Sequence, residues 1–255
     1  MVRHMPSNIE QEIKLTLCDP NSYAQVLTEL DKQAKYIGSV TLTSTYFDTA
    51  THELAHQKAS MRLRELKTAT SISYTATLKA KSSITAAGVF RAIEEEVHIS
   101  KEDYSALMGD STGERVLSFF KNNVCDLHTV LDNAIEGALM KIASFTTMRR
   151  RYTYKKHTLE LDNVIFIVPR PGRMVELECE TEEPQKAMED LRAFFSAINV
   201  MFTHSTTTKL GRAMSLTTSP ATPGSATGTP RLGVSLTGSF AGSFTGSFVG
   251  SRQSK

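Results

Sequence analysis

Charge recurs at alternate positions of the extended segments of this chain, and few folds can absorb that. In Glu10-Gln11-Glu12-Ile13-Lys14 the side chains of a strand would put Glu10, Glu12 and Lys14 on one face, with Ile9, Ile13, Leu15 and Leu17 on the other. One such strand describes an ordinary solvated surface. The pattern returns, however, in Arg62-Leu63-Arg64, Lys79-Ala80-Lys81, Arg149-Arg150-Arg151, Glu160-Leu161-Asp162 and Glu176-Leu177-Glu178-Cys179-Glu180. Strands that repeatedly carry charge on one face and apolar residues on the other predict a sheet whose charged faces meet in an interior.

Composition narrows the classes. A net charge of +2 over 255 residues gives no general nucleic-acid footprint. Cys18, Cys125 and Cys179 form neither a CxxC pair nor an even framework, which suits a reducing compartment. Residues 1–8 lack the apolar core of a signal peptide, and no apolar run reaches membrane-spanning length. The expectation is a soluble cytoplasmic protein with no membrane partner.

Along the chain, Asp19-Pro20-Asn21-Ser22 predicts a turn before a helix carrying Tyr23, Val26, Leu27, Leu30 and Ala34, with Gly38 as its stop. Strands are expected over 40–47, 61–66, 72–81 and 89–99, and Ser100-Lys101-Glu102-Asp103 reads as a capping box. Helical spacing covers 114–121 and 129–143, followed by strands over 145–154, 158–168 and 173–181. Pro184 opens a helix with Met188, Leu191, Phe194, Phe195 and Ile198 inward. His52 and His56 stand four apart, but no third ligand accompanies them.

The expected organisation is a flexible segment over 1–8, an ordered domain over 9–215 and a disordered tail over 216–255. That tail is rich in Ser, Thr, Gly and Pro and ends in Gly-Ser-Phe repeats, with Ser219-Pro220, Thr222-Pro223 and Thr229-Pro230 as candidate phosphorylation sites. Its composition names no partner.

Strands mixed with a few helices but without a βαβ rhythm point to an α+β chain, an antiparallel sheet or barrel with helices packed outside, whose closed form would be an eight-stranded antiparallel β-barrel. Glu10, Glu12, Lys14, Arg62, Arg64, Lys79, Lys81, Arg149, Asp162, Glu176 and Glu178 would then face the lumen. Charges there are costly unless paired, hydrated or bound to a ligand. Lys and Arg suit phosphate oxygens, and clustered carboxylates suit hard cations such as Mg²⁺ or Mn²⁺. Together they describe a site for a polyanionic phosphate chain.

The ExExK stretch Glu10–Lys14 resembles the signature of the CYTH, or triphosphate tunnel metalloenzyme, superfamily. Further motifs keep the family's order: Tyr46-Phe47-Asp48-Thr49, Met61-Arg62-Leu63-Arg64, Thr77-Leu78-Lys79-Ala80-Lys81, Gly88-Val89-Phe90-Arg91, Leu159-Glu160-Leu161-Asp162, Val175-Glu176-Leu177-Glu178 and Thr208-Lys209. The resemblance covers roughly residues 9 to 212 and is greatest to the plant tripolyphosphatase branch. It implies a tunnel binding a linear triphosphate with divalent cations. By position, Glu10, Glu12, Glu176 and Glu178 would hold metal with Asp162 assisting, and Lys14, Arg62, Arg64, Lys79, Arg149 and Lys209 would hold phosphate. Glu10, Glu12 and Lys14 are the catalytic candidates. Lys81 and Arg151 join by strand parity, and Glu94 and Glu96 match the family's acidic pair. Two residues separate Arg91 from Glu94 where the family usually has one, which leaves the facing of Arg91 open.

The expected function is metal-dependent hydrolysis of a phosphoanhydride bond in inorganic tripolyphosphate. Thiamine triphosphatase, adenylyl cyclase, RNA 5′-triphosphatase and a non-catalytic polyphosphate-binding module are the alternatives. Nucleic acid enters only as a triphosphate-ended substrate.

Overall fold

The computed structural model describes residues 9–85, 88–125 and 127–218. Eight strands follow one another around a closed antiparallel barrel: β1 (Ile9–Leu17), β2 (Lys35–Thr49), β3 (Ser60–Lys67), β4 (Ile72–Ile84), β5 (Val89–Ile99), β6 (Leu139–Tyr154), β7 (His157–Val168) and β8 (Gly172–Glu180). The order is β5-β4-β3-β2-β6-β7-β8-β1, and β1 pairs back onto β5 to close it. A short ninth strand, β9 (Phe202–His204), adds to the end of β1.

The register brings the charged positions together. Lys14 stands opposite Glu178, Asp162 opposite Glu176, Arg149 opposite Asp162 and Lys79 opposite Glu94. Residues opposed in an antiparallel pair share a face, so these side chains all point inward. The alternate positions point out and are apolar, which requires helices on the outside.

Two helical layers meet that requirement. On one side Ile13, Leu15 and Leu17 pack with Val26 and Leu30 of α1 (Tyr23–Gln33) and with Leu191, Phe194 and Phe195 of α6 (Pro184–Ala197). On the other, Met61, Leu63, Ala76 and Leu78 are covered by α2 (Glu53–His56), α3 (Lys101–Met108), α4 (Glu114–Phe119) and α5 (Leu127–Val130), through Leu54, Leu107, Val116 and Leu127. Each fully buried Leu or Phe contributes about 1.5–3 kcal/mol, so the outer faces supply the cohesion that a charged lumen cannot. Ser100 caps α3 as expected, its hydroxyl accepting from Asp103 N at 2.9 Å.

The structure departs from the sequence expectations in four places. Helix α1 ends at Gln33 and β2 starts at Lys35, so Gly38 lies inside the strand, at a bulge opposite β6. The helix expected over 129–143 is the one-turn α5 followed by an irregular segment and then β6. Val130, Leu131, Ile135 and Leu139 are nevertheless all buried, so their spacing reports a buried face rather than a helix. Strand β4 bulges between Ala80 and Ser83. Finally, the chain continues past 215 as α7 (Lys209–Thr218).

Helix α7 closes part of one end of the barrel. Its Leu210, Ala213, Met214 and Leu216 pack on Tyr46, Phe145, Val164, Phe166 and Met174, the apolar inner positions of that end. Gly172 lies close under this helix: a Cβ on it would lie 3.0 Å from Leu216 Cδ1, so a larger residue there would have to displace the leucine side chain. The remaining tail, with its three candidate phosphorylation sites, lies outside the described residues. Among the described residues no helix is long and apolar enough to cross a membrane.

Candidate active site

A cavity of about 130 Å³, open to solvent, lies inside the barrel. Seven cationic side chains line it (Lys14, Arg62, Arg64, Lys79, Arg91, Arg149 and Lys209) against four carboxylates (Glu12, Glu94, Glu160 and Glu178). The lining therefore carries excess positive charge.

On the β1, β6–β8 side the charges interlock. Lys14 Nζ lies 2.6 Å from Glu12 Oε1 and 2.5 Å from Glu178 Oε1. Arg149 donates through Nε and Nη2 to the two oxygens of Asp162, at 2.7 and 2.6 Å, and also pairs with Glu160 and Glu178. Lys209, the first residue of α7, reaches Glu176 and Glu178 at 2.6 Å and Asp162 at 3.0 Å. Ser205 holds the other oxygen of Glu176, donating at 2.7 Å.

On the β2–β5 side the cations are less committed. Arg62 donates to Thr77 Oγ1 at 3.0 Å and lies 3.4 and 3.5 Å from Glu94 and Glu96. Lys79 pairs with Glu94 at 2.9 Å. Arg64 donates to the Ser44 hydroxyl at 3.0 Å, and among the described residues no carboxylate forms an ion pair with it.

These environments move the ionisation equilibria in different directions. Burial opposes the charge on Lys14, yet Glu178 and Glu12 hold it above the ordinary lysine range. Burial likewise works against Arg149 and Lys209, but their carboxylate partners raise both further. Glu178 is held well below the usual carboxylate range: burial would raise it, and Lys14, Lys209 and Arg149 outweigh burial. Glu160 goes the other way, to about 7, because burial and the negative charges of Glu178 and Asp162 exceed the help from Arg149. Arg64 falls to about 10 through burial and the adjacent Arg62 and Arg149. An arginine weakened by neighbouring cations gains most from an arriving anion.

Of the residues expected at the site, Glu12, Lys14, Arg62, Arg64, Lys79, Glu94, Arg149, Glu178 and Lys209 all line the cavity. Asp162 and Glu176 are fully buried behind it, committed to Arg149, Lys209 and Ser205. Glu10 pairs with Ala92 across β1 and β5, and its side chain lies outside the described residues. Glu96 stands near the other end, its side chain 39% exposed, and accepts from Thr77. Arg151 pairs with Glu160 at 3.2 Å but is half exposed and does not line the cavity.

Lys81 does not point inward: the β4 bulge breaks the alternation that carries Lys79 into the lumen, and Lys81 is exposed. Arg91 stands opposite Gln11 on the outer side and donates to its side chain at 2.9 Å, so it reaches the cavity only at the rim. The inner positions of β5 go to Phe90 and Ala92. The extra residue before Glu94 therefore turns Arg91 outward. His52 caps α2 and His56 is its last residue; His52 lies 4.0 Å from Asp48. Asp48 itself accepts from Leu54 N and Ala55 N and so anchors that turn.

Sequence reasoning missed Glu160 and Tyr46 as lining residues. Both carried a usable signal: Glu160 shares parity with Asp162, and Tyr46 stands opposite Arg62. Tyr46 is buried; burial alone would raise its phenol, but Arg62, Arg64 and Lys79 bring it below its ordinary value.

Whether a metal fits is a question of donors. Every carboxylate here is an oxygen ligand, as a hard divalent cation requires, and Glu12, Glu160 and Glu178 face the cavity. Among the described residues no three His, Cys, Asp or Glu side chains form a ligand cluster. Lys14, Arg149 and Lys209 take up the carboxylate oxygens instead. The donor chemistry fits a cation that competes with these ion pairs.

The fold recurs in solved structures. A protein from Hippeastrum, assigned as an adenylyl cyclase and described as having a dominant triphosphatase activity, is 23% identical with a TM-score of 0.67, over 81% of this chain and 95% of that one. A protein from Bacillus halodurans assigned as an adenylate cyclase is 20% identical with a TM-score of 0.54, over 80% and 97%. A third, from Pyrococcus horikoshii, is 15% identical with a TM-score of 0.50, over 81% and 98%. No curated protein sequence matches the chain. The CYTH domain profile matches residues 8–212, and the chain belongs to the CYTH domain family.

Proposed function

We propose that this protein hydrolyses a phosphoanhydride bond of inorganic tripolyphosphate in a metal-dependent reaction. The observation that carries the reading is the lining of the cavity, where seven cationic side chains face four carboxylates. A compact polyanion suits that excess. The dominant triphosphatase activity described for the Hippeastrum protein supports the same class of substrate.

Arg62 and Arg64 would take phosphate oxygens first, because the carboxylate contacts of Arg62 are long and Arg64, among the described residues, has no ion pair, with Lys79 beside them on the same side. Lys14, Arg149 and Lys209 would then disperse the charge that develops as water oxygen bonds to phosphorus and the bridging oxygen leaves with the remaining phosphate. Asp162 and Glu176, fully buried, hold Arg149 and Lys209 in place for that role. Mg²⁺ or Mn²⁺ would be held by Glu12 and Glu178, joined by Glu10 on the family resemblance. Such an ion supplies Lewis-acid polarisation of phosphate oxygens.

Phosphate release from tripolyphosphate, pyrophosphate, ATP, thiamine triphosphate and triphosphate-ended RNA, each with Mg²⁺ or Mn²⁺, tests the reading. Tripolyphosphate is expected to give the highest kcat/KM. A higher value for any organic triphosphate would reject the specific substrate.

A further inference from the structure

Lys14 is held by more than its carboxylates. Its ammonium carries three N–H donors, and among the described residues two carboxylates take it up, Glu12 at 2.6 Å and Glu178 at 2.5 Å. A third neighbour has no lone pair to offer. Lys14 Nζ lies over the Phe90 ring, 5.4 Å from its centroid, inside the range of about 6 Å over which the negative face of an aromatic ring attracts a cation. The register explains the meeting. Phe90 stands opposite Glu12 across β1 and β5, and Glu12 shares its face of β1 with Lys14.

The local sequence puts the ring there. Val89 packs into the outer core and Arg91 turns to Gln11, so alternation sends the residue between them into the lumen. Phe90 lines the cavity with 7% of its surface exposed, so little of the ring is open to a ligand. The ring also differs in kind from the other partners of Lys14. A third carboxylate or a hydroxyl at that position would accept the remaining N–H. An aliphatic side chain would desolvate the ammonium without attracting it. A ring face draws the charge through its quadrupole and leaves the third N–H for the cavity.

We propose that Phe90 is a positioning residue: its ring face holds the Lys14 ammonium between Glu12 and Glu178 with one N–H turned to the cavity, where it meets a phosphate oxygen as charge develops. This rests on the tripolyphosphatase reading, in which Lys14 disperses that charge.

Replacing Phe90 by phenylalanines with one, two and three ring fluorines tests the contact, because fluorine drains the ring face of negative charge and changes its size little. With Mg²⁺ and tripolyphosphate, kcat is expected to fall stepwise along the series, by about tenfold at three fluorines. KM should stay within about twofold of the wild type, since the interaction is strengthened only in the transition state. A flat kcat across the series, or a fall that tracks Tm, would overturn the proposal. A second signature needs no turnover. In the NMR spectrum of the wild type the Lys14 Hε protons are expected at high field through the ring current of Phe90, and Phe90→Leu should abolish that shift. Unshifted Lys14 protons in the wild type would also overturn the proposal. The ring-current shift without any phosphate release would overturn the hydrolase reading and leave the hold of Phe90 on Lys14 standing.

Discussion

Glu178 accepts from Lys14 and Lys209 and pairs with Arg149, whereas Glu12 has Lys14 as its ion-pair partner. Glu12 is therefore the carboxylate that can turn to a metal with least disruption. Glu12→Gln keeps the shape and is expected to lower kcat by about 10²-fold or more while weakening metal dependence, as when one transition-state electrostatic element is lost. Arg62→Ala is expected to raise KM while metal affinity is kept, because it removes a phosphate clamp. Steady-state kinetics with metal titrations separate the two; unchanged turnover in Glu12→Gln would remove Glu12 from the site. Glu160 makes a different prediction. Its folded value, about 7, lies above the ordinary 4.5, so the folded state holds the proton more tightly than the unfolded one. The resulting stabilisation is present below the ordinary value and is lost as pH rises through the folded value. Glu160→Gln should thus melt higher relative to wild type at pH 8 than at pH 5, by on the order of 5 °C. A difference that does not change with pH in paired melting curves would rule that out.

At the scale of elements, α7 combines two tasks. Lys209 anchors Glu176 and Glu178 at its start, and Leu210, Ala213, Met214 and Leu216 cover the apolar end of the lumen. Truncation after Thr218 should leave Tm and turnover nearly unchanged, since the helix is intact and the removed segment is compositionally unsuited to a core. Truncation after Thr208 removes the anchor and the cover together and should abolish turnover and lower Tm sharply. A Thr208 truncation with wild-type Tm would deny α7 its structural task. The strands were legible in sequence because burial of one face imposes a strict period of two, which Glu12/Lys14, Arg62/Arg64 and Glu176/Glu178 all keep. Parity misled at Lys81, where a bulge depends on a bond from Ser82 to Lys58 that no local pattern announces. It also left Arg91 open, because one inserted residue reverses every facing before it. The end of α7 is hidden in the sequence because its last turn shares the Ser and Thr content of the tail, and it is the packing of Ala213, Met214 and Leu216 on the apolar end of the lumen that marks it as part of the domain.

At the scale of the whole molecule, stability and binding draw on opposite faces of the same strands. The outer faces bury Leu, Ile, Phe and Val under two helical layers, while the lumen holds the charged faces, with Asp162 and Glu176 buried behind the side chains that line the cavity. Taking such charges out of water costs several kcal/mol per ion before pairing, and that cost is met least at Arg62, whose carboxylate contacts are long, and at Arg64, which among the described residues has no ion pair. A polyanion in the cavity supplies these arginines with partners and binds only the folded barrel, because the unfolded chain does not bring β1, β3, β6 and α7 together. Mass action then stabilises the fold by about 2.7 kcal/mol when the ligand stands at 100 times its Kd. For a domain of this size that corresponds to a rise in Tm of roughly 5–10 °C. Tripolyphosphate should produce this rise in divalent-free buffer, where no turnover confounds the measurement. Arg64→Ala should reduce it more than Arg151→Ala does, because Arg64 lines the cavity and, among the described residues, has no carboxylate partner, while Arg151 stays half exposed against Glu160. Thermal melts across a tripolyphosphate series would decide the matter: no rise in Tm in the wild type, or an equal loss in both variants, would show that the charged lumen is not where the anion binds.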